Sequence, residues 1–145
     1  MNKPLTQYSP YLAGVFALPG LYILSSYNYL LFHILAEIFS IVIACGIFMV
    51  AWNCRRISDN HYLLFLGIAY LFIGGTDLLH TLAYKGMAIF PGFGANEPTQ
   101  LWISARYLES ISLLIAPVFL TRRLYPGAAF AGYTLIIGLL VLSIV

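Results

Sequence analysis

At 145 residues the chain has room for one domain, and its composition is 61% hydrophobic with only 8% charged residues and a net charge of +2. Soluble domains carry about 25% charged residues, so this composition indicates a membrane protein. Cys45 and Cys54 make no disulfide framework, and the chain has no Gly-rich phosphate loop, no CxxC pair and no basic run with interleaved aromatics, so nothing supports soluble nucleotide chemistry or nucleic-acid binding.

Uninterrupted apolar length predicts an all-α integral membrane helical bundle with about five transmembrane helices. The first span, residues 11–24, is short and contains Pro19-Gly20. Lys3 precedes it, so a cleaved signal peptide is the rival reading; the lack of a clear small-x-small site favours a retained helix. Residues 29–52 and 62–84 form the second and third spans. The fourth covers 101–121, after the turn-rich "PGFGANEPTQ". The fifth covers 127–145, where the sequence stops without a charged or aromatic anchor. That bare end leads us to expect a fragment whose natural partner sequence lies downstream.

Loop charges orient these spans. Arg55-Arg56 and Arg122-Arg123 join spans two to three and four to five, and Lys3 lies on the same side if all five cross. The opposite loops hold only Lys85 and Glu97. Basic loops stay in the cytoplasm, which places the N-terminus inside and residues 85–100 outside. That outer loop, rich in Gly and Pro but also in Met87, Ile89, Phe90 and Phe93, is expected either to fold back as a lid with Lys85 at its rim or to rest among lipid headgroups.

Six ionisable residues interrupt the apolar spans: His33 and Glu37 in the second, Asp77 and His80 in the third, Arg106 and Glu109 in the fourth. At about 1.5 Å per residue all six lie roughly 6–12 Å from the outer boundary, so they share one layer. Their i,i+4 and i,i+3 spacings put each pair on one face of its helix. Short connections make the three helices neighbours, so the faces can converge on one buried polar site.

Three carboxylates, Glu37, Asp77 and Glu109, face one arginine in this layer. Fully ionised they leave two negative charges unbalanced, so the site must hold protons, a protonated histidine or a bound cation. His33, Glu37, Asp77 and His80 suit a divalent transition metal. Haem held between His33 and His80 is a further option, disfavoured by carboxylates one turn from both histidines. A purely structural layer is the bland alternative: Arg106 pairs with Asp77 or Glu37, each histidine donates to a carboxylate, and three helices are pinned together.

Three stretches carry a resemblance: "YNYLLFHILAEIFSIVIA" from Tyr27, "GTDLLHTLAYKGM" from Gly75 and "NEPTQLWISARYLESISLL" from Asn96. Over about residues 27–123 the chain resembles the bacterial membrane-associated sensor domains, type three, of the MASE group. The resemblance implies a multi-pass input module of the bacterial inner membrane. Such a module precedes a cytoplasmic output domain, a histidine kinase or diguanylate cyclase, often with PAS domains between. It also implies a signature set of His33, Glu37, Asp77, His80, Tyr84, Lys85, Arg106 and Glu109. The chain itself is then not an enzyme, and its partners are the lipid bilayer, the output domain and, as signalling outputs usually work in pairs, a second copy. Two alternatives remain, a small transporter or proton-coupled carrier and a haem or quinone redox protein. The uniformly apolar inner halves of spans two to four argue against a transport path.

Overall fold

The computed structural model describes residues 4–144, with side chains described at 8, 14, 15 and from 17 onward. Every regular element among them is helical: α1 (Pro4–Tyr27), α2 (Tyr29–Cys54), α3 (His61–Ala83), α4 (Asn96–Ile115) and α5 (Pro126–Ile144). The chain divides into two units, residues 1–36 and 37–145.

In the first unit, α1 is a 24-residue helix that runs through Pro10 and Pro19. Asn28 breaks it from α2 and caps the latter, its Oδ1 accepting the Leu31 N–H at 3.0 Å. The expected first span lies inside α1, three residues short of it at its C-terminal end.

In the second unit, four helical stretches are long and apolar enough to cross a membrane, counting the part of α2 in the first unit: α2, α3, α4 with its extension to Leu120, and α5. Asn60 caps α3 through the Leu63 N–H at 2.9 Å. Pro126 opens α5, where its missing N–H costs nothing. Pro117 cannot donate back along α4, so the helix tightens into a 3-10 segment, Ala116–Leu120, and stops.

Helix α3 is the centre of this unit. Leu64, Phe65, Ile68, Ala69 and Ile73 are buried along it, Ile68 and Ala69 completely. Rings from the other elements close over this stripe. Phe65 stacks on Phe119 at 4.6 Å and Phe72 on Tyr133 at 5.4 Å, while Trp52 meets Phe130 edge-on at 5.6 Å. Tyr133 also reaches buried Ser112 at 2.6 Å. The Ser112 hydroxyl already donates to the Leu108 carbonyl, so Tyr133 is the donor in this contact.

Small residues let α2 and α3 approach closely. A Cβ added to Gly67 would overlap that of Ala51, and one added to Gly74 would come within 3.0 Å of that of Ala44. Both contacts recur at a seven-residue spacing on both helices, the small-residue packing that membrane helices use where lipid offers no hydrophobic drive. Large apolar side chains on the outer faces, among them Phe39, Val42, Leu114, Leu135 and Leu142, are exposed, as suits a surface covered by lipid.

Candidate functional site

The same central helix carries the site. Asp77 and His80 stand one turn apart on its buried face, 2% and 5% exposed. Helix α4 presents Arg106 and Glu109 to that face, and the arginine acts as a fork. Its Nη2 donates to Asp77 Oδ2 at 2.5 Å and its Nη1 to Glu109 Oε2 at 2.8 Å. Planar guanidinium geometry allows one side chain to hold two carboxylates from two helices, which a lysine could not do as well. Tyr70, two turns before Asp77 on α3, completes the network by donating to Glu109 Oε1 at 3.1 Å.

His80 faces the start of α4. Its Nδ1 lies 2.8 Å from the Pro98 carbonyl oxygen, which can only accept, so Nδ1 carries a proton. Nε2 is then the nitrogen whose state can change: an acceptor or metal ligand when the ring is neutral, a donor when it is charged. Histidines that bind metals are oriented in this manner by a carbonyl on the other nitrogen. A carboxylate oxygen of Glu37, on α2, lies within 4.8 Å of a ring nitrogen of His80. Both residues belong to the second unit.

The remaining expected residues are distributed as follows. His33 belongs to the first unit, half-buried, one turn before Glu37 on α2, with its ring stacked on Tyr29 at 6.1 Å. Tyr84 caps the end of α3 and sets its ring edge-on to His80 at 6.3 Å. Lys85 is exposed beside it, at the rim of a cleft of about 280 Å³ that also involves His80, Pro98 and Thr99. Asp77, proposed from sequence as a metal ligand, has its Oδ2 on Arg106, and Arg106 pairs with Asp77 and Glu109.

Two features escaped the sequence. Tyr70 was not singled out, although its spacing of seven residues from Asp77 puts it on the same face. Helix α4 begins at Asn96, five residues before the expected start, because "NEPTQ" is the first turn of the helix rather than loop. Pro98 fits an opening turn, and Glu97 reaches back to accept the Gly94 N–H at 2.8 Å.

Beneath the Arg106 fork lies a cavity of about 250 Å³ between α2, α3 and α4. Asp77, Arg106, Glu109 and Tyr70 form its polar end, and Ile43, Ile47 and Ile73 form apolar walls. Of this cluster Asp77 is buried, while Arg106 and Glu109 are half-buried where it opens on the cavity.

The family model for a membrane-associated sensor domain, MASE3, matches residues 24–145, which include all four spans and every residue of the polar cluster. No curated protein and no solved structure matches the chain. Domains of this kind are non-catalytic sensory input modules embedded in a membrane and linked, in their parent proteins, to a cytoplasmic output domain. With 122 consecutive residues matched (24 to 145 inclusive), the chain belongs to the MASE3 family of membrane-associated sensor domains.

Proposed function

We propose that this input domain senses a small cation or a proton in its intramembrane polar layer, centred on Glu37 and His80. One observation carries the reading: Arg106 is committed to Asp77 and Glu109, so the third carboxylate, Glu37, has its charge next to His80. Arg106 also interacts electrostatically with Glu37 but bonds to the other two carboxylates, so the Glu37 charge is offset only in part in an apolar setting, and a proton on His80 or a metal ion between the two would complete the balance. His33, one turn from Glu37 by helical spacing, and Asp77, one turn from His80, are the further donors proposed for a divalent transition metal. Tyr84 and Lys85 border this layer and are proposed to shape the approach to it.

The fork makes α3 and α4 one block, whereas Glu37 stands on α2. Occupancy between Glu37 and His80 therefore acts on the α2–α3 packing, the seam where Ala44 and Ala51 meet Gly74 and Gly67. A seam of close backbone contacts has few intermediate positions, so it suits a two-state element. We place the layer in the outer half of a bacterial inner membrane, with the N-terminus and the Arg55-Arg56 and Arg122-Arg123 loops in the cytoplasm and α1 as a fifth crossing. A shift of α2 would then reach those loops and an output domain, a histidine kinase or diguanylate cyclase working as a dimer. The carrier alternative lacks support, since residues 41–54, 62–72 and 110–120 carry no charged side chain that would continue a path across the bundle.

The test is metal analysis and absorption spectroscopy on purified protein, beside His33→Ala/His80→Ala and Glu37→Gln. Stoichiometric metal that is lost in both variants supports a metal centre, and a Soret band would assign haem. In the full-length parent, Glu37→Gln and His80→Ala should lock signalling in one state. Signalling that responds normally in both variants would remove the proposal.

A further inference from the structure

The cavity beneath the fork shares Asp77 with the proposed cation layer but is lined by neither Glu37 nor His80, and its chemistry is specific. Its volume is about 250 Å³. An apolar cavity of about 150 Å³ holds a benzene ring, so this one has room for about ten non-hydrogen atoms. Its polar end holds one guanidinium and two carboxylates, a surplus of one negative charge when both acids are ionised.

Asp77, 2% exposed, lines the cavity, and its Oδ1 is buried without a hydrogen-bond partner among the described residues. Arg106 also lines it, and its Nε–H is likewise buried without an acceptor among them. An occupant that satisfies this end must bring a positive charge, a donor for Asp77 Oδ1 and an acceptor for Arg106 Nε. Ile43, Ala44 and Ile47 of α2 and Ile73 of α3 complete the lining with Ser40, and these four apolar residues offer nothing to a hydrated ion but favour hydrocarbon. Ser40 and Ile43, at the cavity's edge, are exposed, so a lipophilic molecule can enter from the side of the bundle.

We propose that the α2–α3–α4 cavity binds a small lipophilic amino alcohol: its ammonium on Asp77 and Glu109, its hydroxyl on Arg106, and its short hydrocarbon tail along the isoleucines. A bare metal ion balances the charge but leaves the apolar wall empty. A neutral alcohol fills the wall but leaves the charge. The proposal draws on the sensory reading only for its consequence, as a ligand class for the layer; the binding itself stands on the cavity.

The test titrates 2-aminohexan-1-ol and, separately, 1-hexanol into the whole chain in lipid nanodiscs, with heat measured against empty nanodiscs. Saturable one-to-one uptake of the amino alcohol is expected, with 1-hexanol at least tenfold weaker. Glu109→Gln, which removes the surplus charge and keeps the shape, should weaken the amino alcohol at least tenfold. Ile47→Phe, which fills the wall and leaves the charges alone, should weaken it too, so poor folding of one variant does not decide the result. Uptake that never saturates, or that is equal in wild type and both variants, overturns the proposal and leaves the Glu37–His80 reading standing. Saturable uptake that depends on Glu109 and Ile47 upholds it even if Glu37 and His80 prove inert to cations.

Discussion

Replacing Arg106 with glutamine removes the one cation that two helices share. The Asp77 side chain is 3% exposed, so its carboxylate is left with no charged partner in a dry setting, next to Glu109. Removing one partner of a fully buried pair costs about 3–5 kcal/mol. Polar contacts between membrane helices measure far less, about 0.6 kcal/mol on average and at most about 1.7, because the unfolded chain in the membrane also finds partners. Arg106 is 38% exposed, which lowers the cost below the buried-pair range, while the two carboxylates it serves raise it above the average contact. We therefore expect a loss of about 2 kcal/mol, roughly a 30-fold change in the unfolding equilibrium. Adding Asp77→Asn should recover about half of that, since asparagine and glutamine can hydrogen-bond without charge. Reversible SDS titration in mixed micelles, followed by the fluorescence of Trp52 and Trp102, measures all four corners of the cycle. A double variant as unstable as the sum of the two single ones would mean that Asp77 and Arg106 do not interact, and the fork would be wrong.

Other substitutions probe the remaining contacts by the same titration. Gly67→Ala should cost about 1–3 kcal/mol by overpacking against Ala51, and Ala51→Gly added to it should restore most of the loss. Tyr70→Phe removes one hydrogen bond to Glu109 and should cost about 0.6–1.5 kcal/mol, read as a shift in the SDS midpoint. Ser112→Ala should cost about 1–3 kcal/mol, because it strands the buried Tyr133 hydroxyl as a donor, whereas Tyr133→Phe should cost about 0.5–1. Equal losses would reverse the donor assignment in that pair.

The spans were legible because their signal is length of apolar sequence, and α2, α3 and α5 end within two residues of expectation. The start of α4 was not, since Gly, Pro and Asn read as loop wherever they cluster; only the pair Glu97 and Pro98 distinguishes a helix opening from a turn. The shared faces were legible because helical spacing fixes them: Asp77 with His80, and Arg106 with Glu109. The sequence does not choose between Asp77 and Glu37 as the partner of Arg106, because that depends on the rotation of α4 against α3. Tyr70 was hidden by its residue type, as a tyrosine among apolar residues ordinarily reads as packing or lipid anchoring. The Pro98 carbonyl that orients His80 could not be read at all. Backbone acceptors have no sequence signature, and neither does a cavity.

The central claim concerns His80 beside Glu37, and one measurement addresses it directly. Histidine labelled with ¹³C in the purified domain, assigned through His80→Gln, reports the His80 ring by NMR during titration with zinc and with acid. The account predicts that the His80 signal responds either to stoichiometric zinc or to acid. It predicts further that Glu37→Gln weakens that response. A His80 signal indifferent to both titrations, or responding identically in Glu37→Gln, would contradict a cation or proton site at this pair.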